Sequence, residues 1–403
     1  MPFKNVIAQE EVKQHLVDLV QHNRLSHALL FLGPEGSGAL PLALAFAQYI
    51  VCEKVTKKSN AQTTAHSLFG AEDPSPTPEF APTDACGICP SCIKAKQFIH
   101  PDIHYSYPVI PKKSGDKPIA TDYLPEWREF ISQYPYGNSF DWLQFIGAEN
   151  KQGNITANEC NDIIRKLSLK SFESGYKILV MWMPEYLGNE GNKLLKLIEE
   201  PPDNTLFILV AENESSILQT ILSRTQLVKI PMLELEAIET ALIENAKLSP
   251  EKARQIASIS EGNYREALQL NRHAEDDWQG LLRDWLNAIL KNGPAAQVKW
   301  IDEVSKLGRE RQKQFLRYFN HLLEQAVRMR IMEEQLAHIP DNERDFAIRL
   351  NKIADIAQQQ AIIVELDKAT YYIERNAHAK MLFHALTIKL YHIIAHKTLA
   401  VVN

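Results

Sequence analysis

The run Gly33-Pro34-Glu35-Gly36-Ser37-Gly38 has the glycine spacing of a loop that cradles phosphate, but Ala39 and Leu40 follow it. Phosphate chemistry at such a loop needs a Lys ammonium for the β- and γ-phosphates and a Ser or Thr hydroxyl for Mg²⁺ at those two positions. A second loss lies downstream. Lys177-Ile178-Leu179-Val180 reads as the strand that should end in Asp-Glu, yet Met181 and Trp182 stand there. Neither side chain ligates a hard cation. The two losses together argue against ATP hydrolysis, and against ATP binding, by this chain. Weak phosphate binding by the backbone at Gly33, Gly36 and Gly38 stays open, because a helix N-terminus attracts anions without the Lys.

Cys86-x-x-Cys89-x-x-Cys92 is the clearest ligand cluster. Thiolates spaced this way on a tight knuckle hold one ion at tetrahedral angles. A closed site needs a fourth ligand, and Cys52 is the candidate; the long segment between them adds little loop-closure cost. The expected cofactor is structural zinc, with an iron–sulfur cluster as the minor alternative. Cys160 stands alone on an expected helix and reads as core. His100-Pro101-Asp102 has no accompanying nucleophile and reads as turn chemistry. Glu199 and Glu200 sit at a helix end before Pro201 and read as structural rather than as an acid/base pair.

These residues require a particular scaffold. His27 to Leu32 is a short apolar run feeding the glycine loop, and residues 40–53 read as the helix after it. Strands are also expected at Lys177–Met181 and Thr205–Ala211, and helices over 6–23, 158–170 and 189–200, the last stopped by Pro201-Pro202. Alternating strands and helices imply a parallel sheet covered on both faces. Beyond Pro231 the pattern is wholly helical: three short segments over 233–275, then longer amphipathic ones, with Phe383, Leu386, Leu390 and Ile393 on one face. Residues 54–85, rich in Pro and polar residues, read as a flexible insertion. Residues 110–150 read as an irregular, aromatic-rich elaboration packed on the core. A single-stranded DNA platform is the sharper but disfavoured alternative, because acids are interspersed.

Bulk properties narrow the function classes. The chain has 403 residues, 45% of them hydrophobic, a formal net charge of −6 and five cysteines. Length suits two or three domains. The acidic balance is wrong for a protein that coats nucleic acid by itself. No apolar run reaches membrane-spanning length, and Met1-Pro2-Phe3-Lys4-Asn5 lacks the core of a signal peptide, so a reducing cytoplasm is expected.

Three segments together carry a family resemblance: His27-Ala-Leu-Leu-Phe-Leu-Gly33-Pro-Glu-Gly36, Asn192-Lys-Leu-Leu-Lys-Leu-Ile-Glu-Glu200-Pro-Pro, and Ser223-Arg224-Thr225-Gln226. They resemble the bacterial DNA polymerase III clamp loader, an AAA+ family, over most of residues 1–270. The resemblance implies an α/β plus all-α protein: an AAA+ sheet domain of RecA-like type over 1–232 with the insertions 54–85 and 110–150, a helical lid over 233–275, and a helical collar over 276–403. It implies Arg224 as a finger offered in trans to a neighbouring ATP site, with Thr225 where the family usually has Cys. A guanidinium stabilises charge spreading over the γ-phosphoryl oxygens, worth roughly 10³–10⁵ in rate in other NTPases. Arg265, in Gly262-Asn263-Tyr264-Arg265, resembles the lid arginine that reads a subunit's own nucleotide. With the loop degraded it is expected to be vestigial or solvated. Glu374-Arg375-Asn376-Ala377-His378 resembles part of the collar. The family also carries a zinc module of one upstream Cys and a three-Cys cluster.

The lost motifs match the family's non-hydrolysing stator rather than its gamma/tau motor. The implied partners are gamma/tau and delta subunits, with the sliding clamp and primed DNA reached through the complex. Polymerase activity would belong to the holoenzyme alone. The rival readings are a gamma/tau-type ATPase and a zinc-dependent DNA-binding protein.

Overall fold

The computed structural model describes residues 1–56, 82–113, 115–148, 153–272, 277–331, 341–375 and 377–396. Most of the expected insertion at 54–85 lies outside the described residues, as does Asn376. The chain divides into two compact units, Met1–Leu268 and Gln269–Asn403.

The first unit is built on strands β1 (Ala28–Leu32), β2 (Ile103–Ser106), β3 (Lys177–Trp182), β4 (Thr205–Ala211) and β5 (Gln226–Lys229). They form one parallel sheet in the order β2-β3-β4-β1-β5. In register, Leu30 of β1 lies opposite Leu209 of β4 and Leu227 of β5. Strands β3 and β4 are buried along their whole length, as continuous apolar runs in a parallel sheet should be. β5 shows no such run, because Gln226, Leu227 and Lys229 keep solvent access at the sheet edge.

Helix Ala39–Val51 is apolar almost all round and every one of its residues is buried. It is covered by the helices Glu10–Gln21 and Pro90–Lys96, the arrangement that an all-round apolar helix demands. On the opposite face, Cys160, Ile163 and Leu167 of helix Ala157–Ser168 pack with Leu179 and Met181. Residues 110–150 are more regular than expected: helices Leu124–Gln133 and Ser139–Phe145 form there. Their rings face inward. Trp127, Phe130 and Trp142 are fully buried, and Trp127 stacks on Tyr107 at 4.0 Å. Rings so enclosed offer no stacking platform to DNA. The expected helix at 189–200 is a 3-10 segment over Pro184–Leu194, kinked at Gly188, followed by one helical stretch, Leu195–Glu199.

Three helices follow the sheet: Leu235–Ala246, Pro250–Ser260 and Tyr264–Arg272. Every element among the described residues of the second unit is a helix. Helix Arg309–Ile331 packs on Asp341–Ile353 and Ile356–Glu374, and the last of these packs on Ala379–His396. Its core holds Trp285 and Trp300 stacked at 4.5 Å, with Phe315 and Phe383 against them. Phe383, Leu386, Leu390 and Ile393 form the buried face expected of the last helix.

Candidate functional site

The glycine loop sits where β1 ends. Gly36 (φ 75°) and Gly38 (φ 92°) occupy the left-handed region that favours glycine. Space matters as much as torsion: a Cβ on Gly36 would lie 2.0 Å from Asn263 Oδ1. The Tyr264 amide donates to the Gly36 carbonyl at 3.3 Å, so the helical segment presses directly on the loop. Tyr136 covers Gly38. Its hydroxyl accepts from the Ile7 amide at 2.9 Å, and its ring meets Tyr264 edge-on at 4.9 Å. The space left between Gly33, Leu40, Tyr136, Trp182 and Met183 is about 30 Å³. Ligand pockets start at roughly 300 Å³.

Strand alternation sends the two residues of the second motif to opposite faces. Met181 is buried on the opposite face of the sheet, with Leu179 and Ile163. Trp182 and Met183 are the residues that wall the loop. The acid that does follow β3, Glu185, accepts from the Glu212 and Asn213 amides at 2.7 and 2.9 Å. Burial pushes its pKa up.

Arg265 is not solvated, contrary to expectation; it is only 4% exposed. Its Nε and Nη2 donate to the two Asp141 oxygens at 2.5 and 2.6 Å, a bidentate pair. Its Nη1 donates to Glu35 Oε1 at 3.0 Å. Glu35, within the glycine loop, also accepts from Asn138 Nδ2 at 2.7 Å and Asn263 Nδ2 at 3.0 Å. A buried guanidinium must be paired. Here the chain's own carboxylates supply the anions, with Asp141 held in the first turn of helix Ser139–Phe145 by the Asn138 capping box.

Arg224 lies between helix Gln219–Leu222 and β5, hence at the amino ends of the strands. The glycine loop is at the carboxyl end of β1, so the two lie at opposite ends of a parallel sheet. One-third of the Arg224 side chain is exposed. Its Nε donates to Glu199 Oε1 at 2.6 Å, and its Nη1 to the Thr220 carbonyl at 2.7 Å and Ser223 Oγ at 3.1 Å.

The Sγ atoms of Cys52, Cys86, Cys89 and Cys92 all lie within 4.8 Å of one another. Cys52 ends the Ala39–Val51 helix, and Cys89 caps Pro90–Lys96. Cys86 Sγ to Cys92 Sγ is 3.9 Å. Four sulfurs about 2.3 Å from one Zn²⁺ at tetrahedral angles would be about 3.8 Å apart, so the set fits that ion. Backbone amides donate to three of the sulfurs, Cys86 N to Cys52, Cys89 N to Cys86 and Cys92 N to Cys89, each at 3.4 Å. The hydrogen bond with Cys92 holds the Cys52 thiol below its ordinary value. Cys160 is buried away from this cluster, its Sγ 3.6 Å from the Glu190 carbonyl. Asp102 accepts from the Phe172, Glu173 and Ser174 amides at 2.5, 2.9 and 2.8 Å. It thus anchors a turn. Burial alone would raise its pKa; the three donors bring it below the usual range.

Two residues at these sites, Tyr136 and Asp141 of the aromatic segment, carried no sequence signal, and Glu199 carried one only as a structural helix end. No local pattern announces a side chain that meets its partner across more than 20 residues.

The glycine loop between β1 and a buried helix, the parallel sheet and the helical segment behind it define an AAA+ module. A family model described as DNA polymerase III, delta subunit, matches residues 8–70 and 54–234, more than half of the chain. The chain belongs to that family. It is 27% identical over 267 residues to DNA polymerase III subunit delta' of Bacillus subtilis, covering 66% of this chain and 60% of that protein. It is 24% identical over 332 residues to subunit tau of the same organism, covering 80% of this chain and 46% of tau. It thus aligns with less than two thirds of either relative. A solved gamma subunit-related protein of Thermotoga maritima gives a TM-score of 0.33 at 13% identity, over 93% of this chain and 98% of that one.

Proposed function

We propose that this chain is the non-hydrolysing stator of a replicative sliding-clamp loader. It assembles with gamma/tau and delta subunits in the cytoplasm and offers Arg224 to the ATP site of a neighbour, and the complex loads the clamp on primed DNA. The helices over 233–275 act as a lid and residues 276–403 as a collar. One contrast carries the reading: the phosphate loop is walled by Tyr136 and Trp182 and its Glu35 is paired with Arg265, while Arg224 keeps a third of its side chain exposed at the far end of the sheet. A finger so placed is out of reach of its own loop and has a use only in trans. The four-cysteine cluster holds structural zinc. Zinc there would crosslink the helix Ala39–Val51 to the helix Pro90–Lys96, with no open position for catalysis.

The test is reconstitution with gamma/tau, delta, clamp and primed DNA. Arg224→Ala should lower stimulated ATP turnover by roughly 10³-fold, within the range for arginine fingers, in a complex that still assembles. Unchanged turnover would leave a scaffold without a finger. ATP hydrolysis by the isolated chain would restore the motor reading.

A further inference from the structure

Arg224 is held by more than the helix that precedes it. Nε donates to Glu199 Oε1, Nη2 pairs with the same oxygen, and Nη1 is taken by Thr220 and Ser223. Glu199 comes from a different part of the chain, separated from Arg224 by the whole of β4. Its backbone is fixed by its place. It ends helix Leu195–Glu199, and Pro201-Pro202 set the torsions just beyond. A carboxylate at a helix C-terminus opposes the macrodipole, so helix stability does not explain it. Meeting Arg224 does.

A long, exposed arginine otherwise samples many rotamers, and ordering it at the moment of reaction costs free energy. A finger works best when it is already aimed at where charge develops. We propose that Glu199 is the positioning residue of Arg224. It fixes the guanidinium so that the outer edge of Nη2 faces the phosphates of a nucleotide bound by the adjacent subunit. The inference rests on the finger reading above and names the residue through which that finger is aimed.

The reconstituted complex separates the two ideas. ATP turnover, stimulated by clamp and primed DNA, is measured for Glu199→Ala, Glu199→Gln, Arg224→Ala and the double variant Glu199→Ala/Arg224→Ala. Assembly is followed by gel filtration and folding by thermal melting. Misaiming a group by an ångström costs up to about 10²-fold, so Glu199→Ala should lower kcat between about 10-fold and 100-fold with KM for ATP unchanged. Glu199→Gln keeps an acceptor oxygen and should recover most of that loss. In the double variant the Glu199 change should add nothing to Arg224→Ala, the signature of two residues acting as one. Wild-type turnover in Glu199→Ala, beside a collapsed Arg224→Ala, overturns the positioning role and leaves the finger. A further loss in the double variant means that Glu199 acts independently, which also overturns it. A gain of turnover in Glu199→Ala would make Glu199 a restraint on the finger instead. No effect of Arg224→Ala removes the finger, and this inference with it.

Discussion

Arg265 is a nearly buried cation that pairs with two carboxylates at once. Its charge faces Glu35 and Asp141, whose side chains are 22% and 19% exposed. Removing the cation leaves two carboxylates close together with little water. Breaking a buried pair in this way costs about 3–5 kcal/mol, so Arg265→Ala should lower the urea midpoint by a corresponding amount. Arg265→Lys should recover only part of it, because an ammonium cannot make the bidentate contact to Asp141. A midpoint within error of wild type would show that water already serves these carboxylates. A second residue sets an acid limit. Burial, with Lys166 nearby, holds the His104 imidazole down to about 4. Between its ordinary value near 6.5 and that point the unfolded chain binds a proton that the folded chain refuses. Stability on this account therefore falls as pH drops through that window and levels off below it. His104→Gln should lose less stability than wild type between about pH 7 and pH 4.5. Equal slopes in urea titrations would assign the acid sensitivity elsewhere.

At the scale of elements, the four cysteines join a helix that the sheet has already buried to a short one that buries Ser91, Cys92 and Ala95. Helix Pro90–Lys96 is two turns long, below the length at which helices are stable alone. Its tie to Ala39–Val51 runs through Cys52 and Cys92, both fully buried. Purified chain should carry one equivalent of zinc. Cys92→Ser should lose it and open residues 82–100 to protease, while the sheet stays protected in hydrogen exchange. Retention of protease resistance without metal would mean that the apolar contacts of Ala85, Cys92 and Ala95 suffice. The aromatic helices Leu124–Gln133 and Ser139–Phe145 obey the same logic. They are short, and the inward stack of Tyr107, Trp127 and Trp142 holds them in place.

For the whole molecule, the decisive property is what it does with nucleotide. A ligand that binds only the folded state at a hundred times its Kd adds about 2.7 kcal/mol and raises Tm by several degrees. Millimolar MgATP should leave the Tm of the isolated chain unchanged, because the space at the glycine loop holds about 30 Å³. A clear upward shift would mean that Tyr136 and the Glu35–Arg265 pair move aside. No described helix is long and apolar enough to cross a membrane.

Much of this protein was legible in the order of its residues. β1, β3 and β4 are continuous apolar runs, so burial on both faces follows from composition alone. The three cysteines at spacing three announce a knuckle, and Ala39 and Leu40 announce the missing phosphate chemistry. Those features are local, and local patterns are what periodicity and spacing encode. β5 escaped because its edge position leaves three of its four residues in contact with solvent, and the short helices of 110–150 escaped because tertiary packing, not propensity, holds them. Tertiary structure brought Cys52, the candidate the sequence offered, to the cluster, and it alone decided that Arg265 is buried against Glu35 and Asp141 rather than solvated and that Glu199 meets Arg224. Each of those depends on two distant segments arriving at one point, and only the folded sheet determines where their ends meet.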